Sequence, residues 1–284
     1  MGKMQKRWFM LHIHPTSYPH HKQHGLTIVE LTIVLILMGI LLPILFTFLV
    51  NTYKDVFYLD YQVQSTSRTK LALSFIEDNV RISSKFLSSM PTVFTDAYGP
   101  HDTGSSGAQA WSYKGDSATS RVLISESYAT NARAFNASRQ PIYINTPEFN
   151  CTTQMYYQPQ LTYISLYFLK NNVLYRRVLI DTTTALCAGN TQQQKRSCPP
   201  YITSGRDASC QANDEVLMTN VTAFTVQYYE VTVDGTSNQI DASYTSTDPT
   251  VLDAADYATV TITSSSKNGA VKNSLTQRMT KVNS

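Results

Sequence analysis

The sequence predicts an α+β chain: one long N-terminal helix, apolar in its first half and amphipathic in its second, packed on a C-terminal antiparallel β-sheet domain. Three observations predict it. From Leu26 to Val50 the chain is apolar, with Glu30 its only charged residue. From Val56 to Leu87 apolar residues recur at helical spacing, and beyond Arg121 the period drops to two.

The run Leu26–Val50 is 25 residues long. At about 1.5 Å per residue it is long enough to cross a hydrocarbon core of roughly 30 Å. Lys3, Lys6, Arg7 and Lys22 precede it with no acid among them, so the positive-inside bias places the N-terminus in the cytoplasm and exports the rest. Phe48 to Tyr53 offers no small-residue cleavage site, so the span is expected to stay in the mature protein. Glu30 does not fit a plain anchor, because a carboxylate in an apolar helix costs several kcal/mol unless it is paired. Its partner is expected elsewhere. A cut between Gly25 and Leu26 would remove all four leader cations and create an α-amino group one helical turn from Glu30.

The Gly25/Leu26 junction, Thr27, Glu30 and the unbroken apolar helix resemble the class III signal of type IV pilins and type II secretion pseudopilins. The resemblance implies cleavage after Gly25 by a prepilin peptidase on the cytoplasmic face, N-methylation of Leu26, and an assembly role for Glu30. It also implies a helix break near Gly39 and Pro43. Leu26 departs from the usual first Phe, and Pro43 lies earlier than the proline common in major pilins.

Charge agrees with a leader that is removed. The chain carries 23 Lys+Arg against 20 Asp+Glu, and without residues 1–25 the balance is 19 against 20. A near-neutral mature chain gives no reason to expect a nucleic-acid partner. His12, His14, His20, His21 and His24 also fall in the leader, leaving only His101.

Val56, Leu59, Val63, Leu73, Ile76, Val80 and Leu87 form one stripe, opposite Lys70, Glu77, Asp78, Arg81 and Lys85. The helix is expected from Leu26 to about Ser88, ending before Pro91. Residues 91–120, rich in Gly, Ser, Thr, Asp and Pro, read as a surface loop region with little core of its own. Short strands are expected at Arg121–Ser125 and Ile142–Ile144. Leu161–Lys170 and Val173–Ile180 flank Asn171-Asn172, which predicts a hairpin with a type I′ turn because Asn tolerates positive φ. Phe224-Val226-Tyr228 and Ala258-Val260-Ile262 alternate with polar neighbours, and Leu275–Val282 reads as a last edge strand. The expected division is a leader over 1–25, a transmembrane half-helix over 26–50, an exported amphipathic half over 51–90, and one β-rich head over 91–284.

Leu169-Lys170-Asn171-Asn172-Val173-Leu174-Tyr175-Arg176-Arg177, then Asp214-Glu215-Val216-Leu217 and Val221-Thr222-Ala223-Phe224-Thr225-Val226-Gln227-Tyr228, resemble the C-terminal half of large minor pilins, the W-type minor pilins and J-type pseudopilins. The resemblance implies a minor pilin of a type IV pilus, acting in the priming or tip complex of the filament. Its implied partners are the prepilin peptidase, other minor pilins and the major pilin, the inner-membrane assembly platform, and membrane lipid through the helix. Its implied places are the inner membrane and the extracellular filament tip. A J-type pseudopilin of type II secretion and a tip adhesin or DNA-uptake module are the alternatives left open.

Cys151, Cys187, Cys198 and Cys210 all lie in the exported part, an even number that points to disulfides. Three pairings are possible. Cys151 with Cys187 would staple the base of the hairpin, and Cys198 would then pair with Cys210. Asp248, Asp253 and Asp256 form a weak Ca²⁺ candidate in a loop before a strand, against a plainer turn-capping role. No cofactor is expected. No nucleophile elbow, metalloprotease motif or phosphate loop is present, and His101 beside Asp102 makes no constellation, so no enzyme is expected.

Overall fold

In the computed structural model, which describes residues 27–91, 93–99, 111–132, 138–145, 160–181, 184–187, 191–202, 204–240, 252–266 and 271–281, helix α1 spans Ile28–Arg81. The chain divides into two compact units between Val56 and Phe57. The first contains the apolar part of the helix. Gly39 and Pro43 both lie within continuous helix, so the break expected there does not interrupt it. The proline removes one N–H, whose acceptor in a regular helix is the carbonyl of Gly39, the residue four back. The Thr47 hydroxyl donates to the Pro43 carbonyl at 2.8 Å, adding a bond one turn on.

In the second unit the helix becomes buried on one side only from Ser65 onward: Ser65, Thr69, Ala72, Leu73, Ile76 and Val80 face the core. Val56, Leu59 and Val63, expected on the same stripe, are exposed. The helix also ends earlier than the expected Ser88. The Ser83 hydroxyl donates to the Val80 carbonyl at 2.7 Å, satisfying a C-terminal acceptor, and Ser83–Phe86 becomes strand β1. Strand pairing outcompetes another helical turn here because it places Phe86 fully in the core.

The head is antiparallel in both main sheets, as the α+β expectation requires. The first has the order β1-β2-β3-β4-β7, where β2 is Leu123–Tyr128, β3 Thr162–Lys170, β4 Val173–Ile180 and β7 Glu215–Thr219. The short strands β5 (Ser197–Cys198) and β6 (Ala212–Asn213) pair in parallel. The second sheet has the order β11-β10-β8-β9, built from β8 Val221–Val231, β9 Ser237–Gln239, β10 Tyr257–Ser265 and β11 Lys272–Thr280. The β3–β4 hairpin forms as expected: Asn171 and Asn172 adopt φ of 50° and 60°, the left-handed pair a type I′ turn needs. Asn220, with φ 60°, turns the chain from β7 in one sheet to β8 in the other. The strand expected at Ile142–Ile144 is reduced to isolated bridges, Tyr143 to Gln160 and Ile144 to Leu186.

The largest departure concerns residues 91–120. Strand β3 places Tyr163 and Tyr167 on one face and Ile164, Leu166 and Phe168 on the other, and all are buried. A sheet apolar on both faces needs a cover on each. The helix and the second sheet cover the first face, forming a core with Leu73, Ile76, Phe86, Phe224 and Val260. Phe94 and Trp111, from the segment expected to lack core, close the second face together with Leu87 and Met90. Trp111 packs on Phe168 at a centroid distance of 4.7 Å. Gly115 holds this flap in its turn: at φ +59° a Cβ there would lie 1.9 Å from the Ser120 carbonyl oxygen.

Cys198 and Cys210 form a disulfide, the pairing expected for them. Cys187 is also disulfide-bonded, and its expected partner Cys151 lies outside the described residues. The Cys198–Cys210 bridge closes a short loop next to the β5–β6 pair. Chain-entropy arguments give such a loop roughly 2–3 kcal/mol. Cys198→Ser/Cys210→Ser should therefore lower the thermal midpoint by several degrees, and an unchanged midpoint by circular dichroism would show that the loop needs no staple.

Candidate functional site

The first candidate is the N-terminal half of α1. Its large apolar side chains from Ile28 to Leu49 are between about half and four-fifths exposed, from 49% at Val34 to 82% at Ile28. This helix is long and apolar enough to cross a membrane. An apolar surface of this extent costs far too much in water to be left uncovered, so it demands lipid or other apolar helices.

Glu30 sits in the first turn and has a partner that the sequence reading missed. Its Oε2 accepts from the backbone N–H of Thr27 at 2.9 Å and from the Thr27 hydroxyl at 3.0 Å. The Glu30 amide in turn donates to Thr27 Oγ1 at 3.3 Å. This is a capping box, in which Thr and Glu three residues apart satisfy each other's amides. The T-x-x-E pattern was visible in the sequence. The carboxylate is thus held at the helix end with lone pairs still available. Gly25 and Leu26, the expected processing junction, lie outside the described residues.

The second candidate is a buried charge network. Two consecutive arginines in β4 point to opposite faces of the sheet, as strand geometry requires. Arg177 enters the core behind Trp111 and Phe168, its guanidinium 5.6 and 5.2 Å from their ring centroids. Its Nη2 donates to Asp214 Oδ2 at 2.6 Å and its Nε to the same oxygen at 3.0 Å. Its Nη1 donates to Asp96 Oδ2 and to the Tyr98 carbonyl, both at 2.9 Å. The acids are tied further: Trp111 Nε1 donates to Asp96 at 2.6 Å, and the Ser197 hydroxyl to Asp214 at 2.8 Å. Burial works against the charge on Arg177, but Asp96 and Asp214 outweigh it and hold the guanidinium above its ordinary range. Burial pushes the Asp214 carboxyl up, with Arg177 pulling the other way. The network pins the 94–98 and 197–214 segments to the sheet. Sequence reasoning found none of it, although paired arginines in a two-sided buried strand require one buried cation and hence an acid.

Arg176, facing the other way, borders a cavity of about 660 Å³ between the last turns of α1, the β3–β4 sheet and residues 193–197. Its Nη1 reaches Glu215 Oε2 at 3.4 Å and its Nη2 the Ser165 hydroxyl at 3.3 Å. The Phe75 ring lies 5.4 Å beneath it.

The remaining candidates do not converge. Asp253 is exposed; Asp256 accepts from the Val231 amide at 2.6 Å and donates its own amide to the Tyr229 carbonyl at 2.9 Å, which is a strand-tying role. Asp248, His101 and Asp102 lie outside the described residues, and among the described residues no three His, Cys, Asp or Glu side chains are placed to hold a metal. No family model, no curated protein and no solved structure matches this chain.

Proposed function

We propose that the protein is a pilin-like assembly subunit, a large minor pilin of a type IV pilus, and not an enzyme. In this reading it is inserted in the inner membrane with its N-terminus inside, cleaved between Gly25 and Leu26, and assembled through its N-terminal helix with other minor pilins and the major pilin. The observation that carries the reading is the pairing of an exposed, capped apolar helix with an antiparallel β head. A helix that is apolar all round, from Leu31 to Leu49, has no face reserved for water. It suits a segment that lies first in lipid and then among neighbouring helices. Glu30, the one charge in the run, gives that otherwise uniform surface a register, because a carboxylate in an apolar bundle can be satisfied only at the height of a donor or cation.

Gly25→Val tests the processing step. Co-expressed with a prepilin peptidase, the wild-type chain should shift by its 25-residue leader on an immunoblot, and the variant should run unshifted. A wild-type chain that stays at precursor size would remove the proposal. Loss of the subunit from sheared filaments, with unimpaired secretion, separates the pilus reading from type II secretion.

A further inference from the structure

We propose that the cavity beside Arg176 binds a carboxylate-bearing sugar of the uronic acid kind. The inference rests on the head alone and not on the reading of the helix.

Arg176 is the starting point. Its side chain is only 16% exposed, yet its two hydrogen bonds, at 3.3 and 3.4 Å, lie beyond the usual N–H···O range. Its Nε is buried and has no hydrogen-bond partner among the described residues. A guanidinium carries five N–H donors, and leaving them underused in a buried site is expensive. Its acidic neighbour Glu215 is half exposed, with 49% side-chain accessibility, so this pair is loose and can yield to a better acceptor. The Phe75 ring borders the group on one side, its centroid 5.4 Å from the guanidinium carbon. A planar guanidinium whose two Nη groups are held only by long bonds matches a carboxylate, which can take two parallel bonds from them in place of Glu215 and Ser165.

The surrounding charge selects a monoanion. Arg139 and Lys195 join Arg176 on the cavity wall, against Asp78 and Glu215, an excess of one positive charge. The wall also includes the last turns of α1, from Phe75 to Asn79. The C-terminal end of a helix carries partial negative charge, which opposes a phosphate dianion more than a single carboxylate.

The rest of the lining selects hydroxyl groups on a small ring. Gln193 and Asn213 are exposed at the cavity and offer both donors and acceptors. Asn79 Nδ2 donates to the Phe75 carbonyl at 2.7 Å, leaving its own carbonyl oxygen as an acceptor. Ile82 and Val178 provide apolar wall for the C–H face of a sugar. The volume falls within the range of small-molecule sites, and apolar wall with a few placed polar groups is their usual composition.

The test uses the full-length chain in detergent micelles, titrated calorimetrically at low ionic strength with glucuronate, glucose and acetate. Glucose has a hydroxymethyl group in place of the carboxylate, and acetate lacks the ring. Glucuronate should bind at least about tenfold more tightly than either, the scale of one charge-assisted hydrogen bond. Arg176→Gln should weaken glucuronate binding about tenfold or more, and Arg176→Lys should restore part of it. No saturable glucuronate binding up to millimolar concentration overturns the proposal, as does acetate binding equally well or a folded Arg176→Gln that binds like wild type. Should Arg176→Gln fail to fold, the exposed variants Lys195→Gln and Asn213→Ala decide. Weaker binding in both supports the site, and unchanged affinity in both overturns it.

Discussion

Arg177→Ala should destabilise the head by about 3–5 kcal/mol, the scale found when one partner of a buried ion pair is removed. The effect is large because the change leaves two carboxylates behind. Asp96 and Asp214 are both almost inaccessible, and each loses its cation in a site closed by Trp111 and Phe168. Arg176→Ala, one residue away on the other face, should cost much less, since its bonds are long and its acid is half exposed. Urea unfolding of the full chain in detergent, followed by tryptophan fluorescence, reads the difference: Trp111 donates to Asp96 and reports the network directly.

The pH dependence of that variant has a definite sign. Without Arg177, burial and the nearby Asp96 charge act on Asp214 against the Ser197 hydroxyl alone, so its folded-state pKa rises further in the direction burial already pushes it. A carboxyl whose pKa is higher folded than unfolded is better tolerated when protonated. The variant's deficit should therefore grow as pH rises above the unfolded carboxyl range, near about 4, and shrink as pH falls toward it. A deficit below about 1 kcal/mol, or one that is flat between pH 4 and 7, would show that the network is not what holds the flap.

The parts of the fold that could be read from sequence are those specified by local rules. Asn171-Asn172 turns because both residues accept positive φ, and β8, β10 and β11 alternate because one face of their sheet meets water. The parts that could not be read depend on partners distant in the chain. Phe94 and Trp111 sit among glycines and serines with no period of their own. Their burial follows only from β3 being apolar on both faces and needing a second cover. The end of α1 was misread for the same reason: Ser83–Phe86 falls between Val80 and Leu87 of the helical stripe in sequence, but β2 offers it a strand to pair with. Of the candidate site, the apolar run and Glu30 were plain, because an acid within an apolar run of that length stands out by composition. The Thr27 partner was three residues away and legible as a capping pattern. Arg176 became a candidate only once the strand face that turns it toward Phe75 of α1 was known.

Replacing Glu30 separates two roles that the capping box combines. Glu30→Ala should leave leader cleavage intact and abolish incorporation into filaments, but it removes both a cap and a charge. Glu30→Gln is the sharper variant. Glutamine can accept the same Thr27 amide bond, since a capping box tolerates Glu or Gln, so the helix end is kept and only the charge is lost. Thr27→Val does the reverse, deleting the hydroxyl that donates to Glu30 and accepts from its amide while leaving the carboxylate charged. A lost cap is worth about 1 kcal/mol. An opposite charge about 4 Å from Glu30, at an effective dielectric constant near 20, is worth roughly 4 kcal/mol before desolvation is subtracted. If Glu30 acts on the α-amino group of a neighbouring subunit, Glu30→Gln should fall out of sheared filaments while Thr27→Val is incorporated at reduced but measurable levels. The opposite ranking, with Glu30→Gln incorporated normally and Thr27→Val lost, would make Glu30 a helix cap and nothing more.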